Sequence, residues 1–220
     1  MNRYNRKFCM VSDFHGQYKQ VVSLSQRGSS ILLVAGDITK NGTLGEIHDF
    51  NEFVGTLAFE YIIVTPGHTD IALQNATIVK NILTNCICLI DEYVEIDGKK
   101  IYGTPWIYEE KGAFTSLDRD FLEERWNLIP RDTYILLTHS PSYEVQDLDS
   151  NGNSIGDKGL LNAMKEVQPR YHVHGHAHCS PSSISYHHET KTTSVYNASV
   201  ISKYGEIYNH VNEYLTTWSF

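Results

Sequence analysis

An α/β fold is what this sequence predicts, and three observations predict it. Short, continuously apolar runs recur along the chain, as in strands buried on both faces. Stretches at helical spacing alternate with the first of them. Most of the runs also end alike, with an Asp or a His just past the last apolar residue, at the edge where open α/β sheets bind ligands.

Phe8-Cys9-Met10-Val11 is the first run, and Ser12-Asp13-Phe14-His15-Gly16 follows it. Asp13 and His15 therefore stand just past a strand. Over residues 17–26, Val21, Val22 and Leu24 lie among polar residues and Gly28 supplies a stop signal, which predicts a helix. Ile31-Leu32-Leu33-Val34-Ala35 is a second buried strand, running into Gly36-Asp37. These pieces make a βαβ unit, which brings Asp13, His15 and Asp37 to one sheet edge. A turn at Lys40-Asn41-Gly42-Thr43 precedes a helix over residues 46–59, with Ile47, Phe50, Val54, Leu57 and Ala58 on one face. Tyr61-Ile62-Ile63-Val64 is the third strand and ends in Thr65-Pro66-Gly67-His68-Thr69-Asp70. Residues 71–82 read as partly helical.

Residues 86–90, 93–96 and 100–103 read as strands, the last two joined in a hairpin at Asp97-Gly98. All three are assigned to a second, more antiparallel sheet. Leu117, Phe121, Leu122 and Trp126 predict a helix over residues 116–128, closed by Pro130. Tyr134-Ile135-Leu136-Leu137-Thr138 is another buried strand, ending in His139-Ser140-Pro141. Residues 147–153 imitate the start of a calcium loop, but Lys158 stands where a bidentate Glu is needed, so the segment is read as a polar loop rimming the site. After a helix over residues 159–167 comes Tyr171-His172-Val173-His174-Gly175-His176-Ala177-His178. The two-residue period of a strand puts its four histidines on one side only until the backbone turns, most easily at Gly175. The strand is thus expected to end near His174, with His176 and His178 on the loop beyond. Residues 191–204 are β-rich and close the second sheet.

With 220 residues, 41% hydrophobic and 20% charged, the chain fits one globular domain over residues 1–220. A net charge of −8 and a pI near 5.7 argue against gripping long nucleic acid by its phosphates. Cys9, Cys86, Cys88 and Cys179 are irregularly spaced and read as reduced thiols. The apolar run after the basic start is too short for a membrane span, which points to the cytoplasm.

Collected, the strand-end groups are Asp13, His15, Asp37, His68, His139, His176 and His178. Seven nitrogen and oxygen donors without a thiolate suit two divalent ions, Mn, Fe or Zn, with Mn the first choice and Asp37 the natural bridge. Two adjacent ions can clamp a phosphate and activate water, so the chemistry indicated is phosphoester hydrolysis.

Asp13-Phe-His15, Gly36-Asp37, Thr138-His139 and Gly175-His176-Ala-His178, in that order, resemble the calcineurin-like metallophosphoesterases. Residues 83–87, 101–106 and 196–199 resemble the metallophosphoesterase-domain-containing branch, which is similar in hydrolysing phosphodiesters, cyclic nucleotides included. The resemblance implies a four-layer α/β/β/α sandwich. It also implies one ion on Asp13, His15, Asp37 and His178, and another on Asp37, His139, His176 and the family's Asn position. The small phosphoester substrate could instead be a monoester or a phosphoprotein, or the fold could serve as a weakly active binding module.

In one place the chain departs from the family: Gly-Asn-His-(Asp/Glu) becomes Gly67-His68-Thr69-Asp70. Aligned without a gap, His68 takes the metal-binding Asn position, and Thr69 replaces the His that stabilises the transition state and protonates the leaving group. Shifted by one residue, His68 is itself that acid. Asp37 and His68 are thus the candidate catalytic residues.

Overall fold

The computed structural model describes residues 6–20, 30–179, 182–202, 204–208 and 216–218. Strand β1 (Arg6–Val11) pairs in parallel with β2 (Ile31–Ala35), β2 with β3 (Tyr61–Thr65) and β3 with β4 (Ile87–Cys88). The helix expected over residues 17–26 begins at residues 18–20, and residues 21–29 lie outside the described residues. Between β2 and β3 runs α1 (Leu44–Val54), opened by a capping box in which Thr43 and Glu46 satisfy each other's backbone amides. It stops at Gly55, short of the expected residue 59. A 3₁₀ turn (Ile71–Gln74) and α2 (Ala76–Ile82) lead into β4.

The second sheet comprises β5 (Glu92–Ile96), β6 (Lys99–Thr104), β7 (Thr133–Thr138), β8 (Tyr171–His174), β9 (Ser182–His187) and β10 (Thr192–Asn197), in the order β5-β6-β7-β8-β10-β9. Helices α3 (Arg119–Trp126) and α4 (Lys158–Val167) serve its outer face. A last strand, β11 (Thr216–Trp218), pairs antiparallel with β1 and gives the first sheet the order β11-β1-β2-β3-β4.

Two expectations are corrected. Residues 87–88 belong to the first sheet, because Ile87 and Cys88 extend the parallel ladder beside Ile63 and Val64. The second sheet is also less antiparallel than expected: β6, β7, β8 and β10 run parallel, and only the edge pairs β5/β6 and β9/β10 are antiparallel.

The two-residue period of the strands sorts the core into layers. Phe8, Met10, Ile31, Leu33 and Ile63 face Ile101, Ile135, Leu137 and Val173 between the sheets. On the first sheet's outer side, Cys9, Val11, Leu32, Val34 and Val64 meet Ile47, Phe50 and Val54 of α1. Behind the second sheet, Tyr102 and Leu136 meet Leu122, Trp126 and Leu160. This is the four-layer α/β/β/α sandwich. Its consequence for function is directional: β1, β2, β3, β7 and β8 deliver their carboxyl ends to one rim, where Ser12 bridges to Ser199 across the two sheets.

Candidate metal centre

All seven predicted donors meet on that rim. The first sheet supplies Asp13 and His15 after β1, Asp37 after β2 and His68 after β3; the second supplies His139 after β7 and His176 and His178 after β8. Candidate ligand atoms of Asp13, His15 and His178 lie within 4.8 Å of one another, as do those of His68, His139 and His176, and those of Asp13, Asp37 and His139.

The backbone bends sharply to achieve this. Asp13, His15, Asp37 and His176 adopt left-handed φ angles of 59°, 43°, 53° and 66°, a conformation that non-glycine residues visit rarely and that concentrates at functional sites. Gly175 is needed for close approach, since a methyl there would collide with Ser12 and come within 2.6 Å of Asp13 Oδ2. The histidine strand ends at His174 as expected. His172 and His174 stay fully buried beneath the site, outside the ligand clusters, and His172 faces the Thr138 hydroxyl at 2.9 Å.

Donor spacing tests whether ions fit. His15 Nε2 lies 3.4 Å from His178 Nε2, and that atom lies 3.3 Å from Asp13 Oδ1. His68 Nδ1 lies 3.0 Å from His139 Nε2, which is 3.4 Å from Asp37 Oδ1. Metal bonds of about 2.0–2.2 Å imply donors roughly 3–3.5 Å apart, so these spacings match groups converging on a shared ion. Asp37 Oδ2, buried and without a hydrogen-bond partner, stands 3.3 Å from His68 Nδ1 and 3.8 Å from His15 Nε2. Buried carboxylate oxygens are rarely left in that state, and a cation is the natural partner here. The residues fit divalent ions.

Backbone carbonyls orient two of the rings. His139 Nδ1 donates to the Ala35 carbonyl at 2.9 Å and His178 Nδ1 to the Ile201 carbonyl at 2.8 Å, which aims both Nε2 atoms into the site. Four supporting residues had no assigned role in the sequence. Asp70 accepts from the amides of Ile38, Thr39 and Gly67 and from the Thr39 hydroxyl, tying the turn that carries Asp37 to the one that carries His68. Burial and the charge of Asp37 push its carboxyl up to about 6, against those hydrogen bonds. Ser199 donates to Asp13 Oδ2 at 2.7 Å, and Asn197 donates to the Ala177 carbonyl at 2.7 Å, inside the histidine loop. Glu109 lies 3.3 Å from His176 Nε2. The Tyr196–Ser199 resemblance was the available signal for two of the four, and the fourth member of the Gly67–Asp70 motif for Asp70; nothing in the sequence marked Glu109.

Protonation follows from the same contacts. Burial alone would lower the pKa of His178, but its hydrogen bond to Asp13 and the charge of that carboxylate raise it to about 9. Desolvation holds His174 down at about 4 and His172 well below the usual imidazole range. In chelator-treated protein the His178–Asp13 pair contributes stability that is complete below pH 6.5 and lost as pH rises towards 9. His172 and His174 act at the other end: below pH 6.5 the unfolded chain gains their protons first, so stability falls towards pH 4. We expect the melting temperature to peak near pH 6.5 without metal. The increment produced by Mn²⁺ should grow from pH 6.5 to 8.5, because binding must displace the His178 proton. Fluorescence-monitored melting with and without Mn²⁺ measures both trends, and a metal increment that shrinks with pH would contradict the assignment of His178 as a ligand.

This sandwich, with Asp and His donors at the carboxyl ends of both sheets, is the architecture of a calcineurin-like phosphoesterase. The corresponding family model matches residues 6–180, and the chain belongs to that family, whose members use divalent metal ions. More particularly, the chain is 34% identical over 199 residues to metallophosphoesterase domain-containing protein 1 of Homo sapiens, covering 78% of this chain and 60% of that protein. It is 33% identical over 204 residues to UPF0046 protein T07D4.2 of Caenorhabditis elegans, covering 78% and 51%. The chain thus spans between about half and three-fifths of the length of these curated relatives. In fold it is similar to TT1561 of Thermus thermophilus, with a TM-score of 0.64 at 14% identity over 98% of this chain and 99% of that one. No helix among the described residues is long and apolar enough to cross a membrane.

Proposed function

We propose that this chain is a dinuclear metal-dependent phosphodiesterase acting on small phosphodiesters, a class that includes cyclic nucleotides. The observation that carries the reading is the unpartnered, buried Asp37 Oδ2 standing between His15 and His68, where one carboxylate can serve both donor groups. Two divalent ions bound there would supply Lewis-acid polarisation of phosphoryl oxygens and activation of water at neutral pH. Asp13, His15, Asp37 and His178 are the proposed ligands of one ion; Asp37, His68, His139 and His176 are those of the other. Carboxylate and imidazole donors without a thiolate suit Mn, Fe or Zn, and Mn is the ion proposed first.

His68 is assigned to the ligand role because its Nδ1 lies 3.0 Å from His139 Nε2. The Thr69 hydroxyl points elsewhere, donating to the Thr39 carbonyl at 2.8 Å, so it offers the leaving group no proton. Beside His15 and His178 opens a cleft of about 840 Å³ lined in part by Gln17, Lys19 and Lys40, suited to the organic group of a phosphoester.

Diester hydrolysis is expected to exceed monoester hydrolysis, since a net charge of −8 favours a substrate of one negative charge over one approaching two. The test compares bis(p-nitrophenyl) phosphate with p-nitrophenyl phosphate on the Mn²⁺-loaded protein. Turnover of the monoester roughly tenfold faster would replace this reading with that of a phosphatase. Hydrolysis of neither by protein carrying both ions would leave a binding module.

A further inference from the structure

We propose that Glu109 is the positioning carboxylate of His176, holding that ring with its proton on Nε2 so that Nδ1 presents its lone pair to the second ion. The proposal rests on the dinuclear reading above. His139 and His178 each direct Nδ1 at a backbone carbonyl and Nε2 at the site. His176 is turned the other way: its Nε2 lies 3.3 Å from Glu109 Oε1, while its Nδ1 is buried and unpartnered. A neutral imidazole carries one ring proton, and an acceptor at one nitrogen draws the proton there, freeing the other nitrogen as a donor to metal.

The segment bearing Glu109 is built to hold it. Glu109 N donates to the Ile107 carbonyl at 3.1 Å, Ile107 N to the Phe114 carbonyl at 3.0 Å, and Ala113 N to the His68 carbonyl at 2.7 Å. The loop over residues 107–114 is therefore fastened to the backbone of a second proposed ligand of the same ion. Charge supports the assignment too. Asp13 stands among the donors it shares with His15 and His178 and again among those it shares with Asp37 and His139, whereas the grouped donors of His68, His139 and His176 include no carboxylate. A carboxylate behind His176 adds negative charge on the second side without taking a coordination position.

The test titrates Mn²⁺ calorimetrically into chelator-stripped wild type, Glu109→Ala, Glu109→Gln and, as a control for charge alone, Glu110→Gln. Two ions should bind to wild type. In Glu109→Ala the dissociation constant of the second ion should rise about 10–100-fold with the first unchanged. Glu109→Gln, which keeps an acceptor oxygen, should lose less, and Glu110→Gln should match wild type. In the metal-free protein, nitrogen–proton correlation spectra of the rings should show His176 protonated at Nε2 in wild type and a mixture of the two tautomers in Glu109→Ala, a change that a merely structural Glu109 would not produce. Unchanged second-ion affinity in both Glu109 variants, equal weakening by Glu110→Gln, or a proton on Nδ1 of His176 would overturn the proposal. Wild type that binds fewer than two ions would instead overturn the dinuclear reading, whatever the Glu109 variants do.

Discussion

Replacing Asp37 with Asn is expected to weaken both ions at once and to lower phosphoester hydrolysis by roughly 10²–10³-fold or more, since ion-borne charge stabilisation is worth several kcal/mol. The carboxylate is fully buried, with Oδ1 3.4 Å from His139 Nε2 and 3.0 Å from its donor Thr69 N, and Oδ2 between His15 and His68. An amide keeps the shape and one acceptor but removes the charge both clusters share, and its NH₂ would face imidazole nitrogens. His139→Ala should behave differently, emptying mainly the side formed with His68 and His176. Elemental analysis after gel filtration distinguishes the two. An Asp37→Asn protein retaining two ions at wild-type affinity would contradict the bridging assignment.

The second large effect concerns the loop after β3. If His68 is a ligand and the general acid is missing, Thr69→His should raise turnover of substrates with alkoxide leaving groups, towards the 10²–10⁴-fold that a positioned acid typically contributes. Nitrophenolate leaves without protonation, so bis(p-nitrophenyl) phosphate should gain little. To act, the new imidazole must forgo the bond that Thr69 now makes to Thr39, leaving the Asp70 hydrogen bonds to hold the turn. His68→Asn is the complementary variant and should keep the second ion bound. The opposite pattern would make His68 the acid: Thr69→His without effect on a ribose ester, and His68→Asn inactive with both ions present.

The site was legible because its residues follow strands that are hard to misread. Ile31–Ala35 and Tyr61–Thr65 are apolar on both faces, so their carboxyl ends, and with them Asp37 and His68, could be placed in one dimension. Where the chain pattern is weak, the reading failed. Ile87–Cys88 is two residues long and sits beside a hairpin in sequence, so its sheet was misassigned. Ser182–His187 is mostly exposed, with only Ile184 and Tyr186 as apolar residues, and its ladder to β10 defines it as a strand. The left-handed turns at Asp13, Asp37 and His176 have only the weak signal that Asp and His tolerate this conformation, and the bond from His176 N to Asp13 that joins two of them runs between the sheets. Glu109 lies on a loop tied down by the hydrogen bond from Ala113 N to the carbonyl of His68, a residue remote in sequence.

The division of donors between the sheets bears on how the molecule assembles. Asp13, His15, Asp37 and His68 lie in the first third of the chain, whereas His139, His176, His178 and Ser199 come from its later half. A growing polypeptide can form the β1-β2-β3 ladder early, yet holds only half a chelate until the segment through β10 has emerged and docked. Pairings that distant in sequence are slow to form. An ion present during refolding would therefore favour the docked ensemble without speeding the earliest collapse, lowering the unfolding rate more than it raises the folding rate.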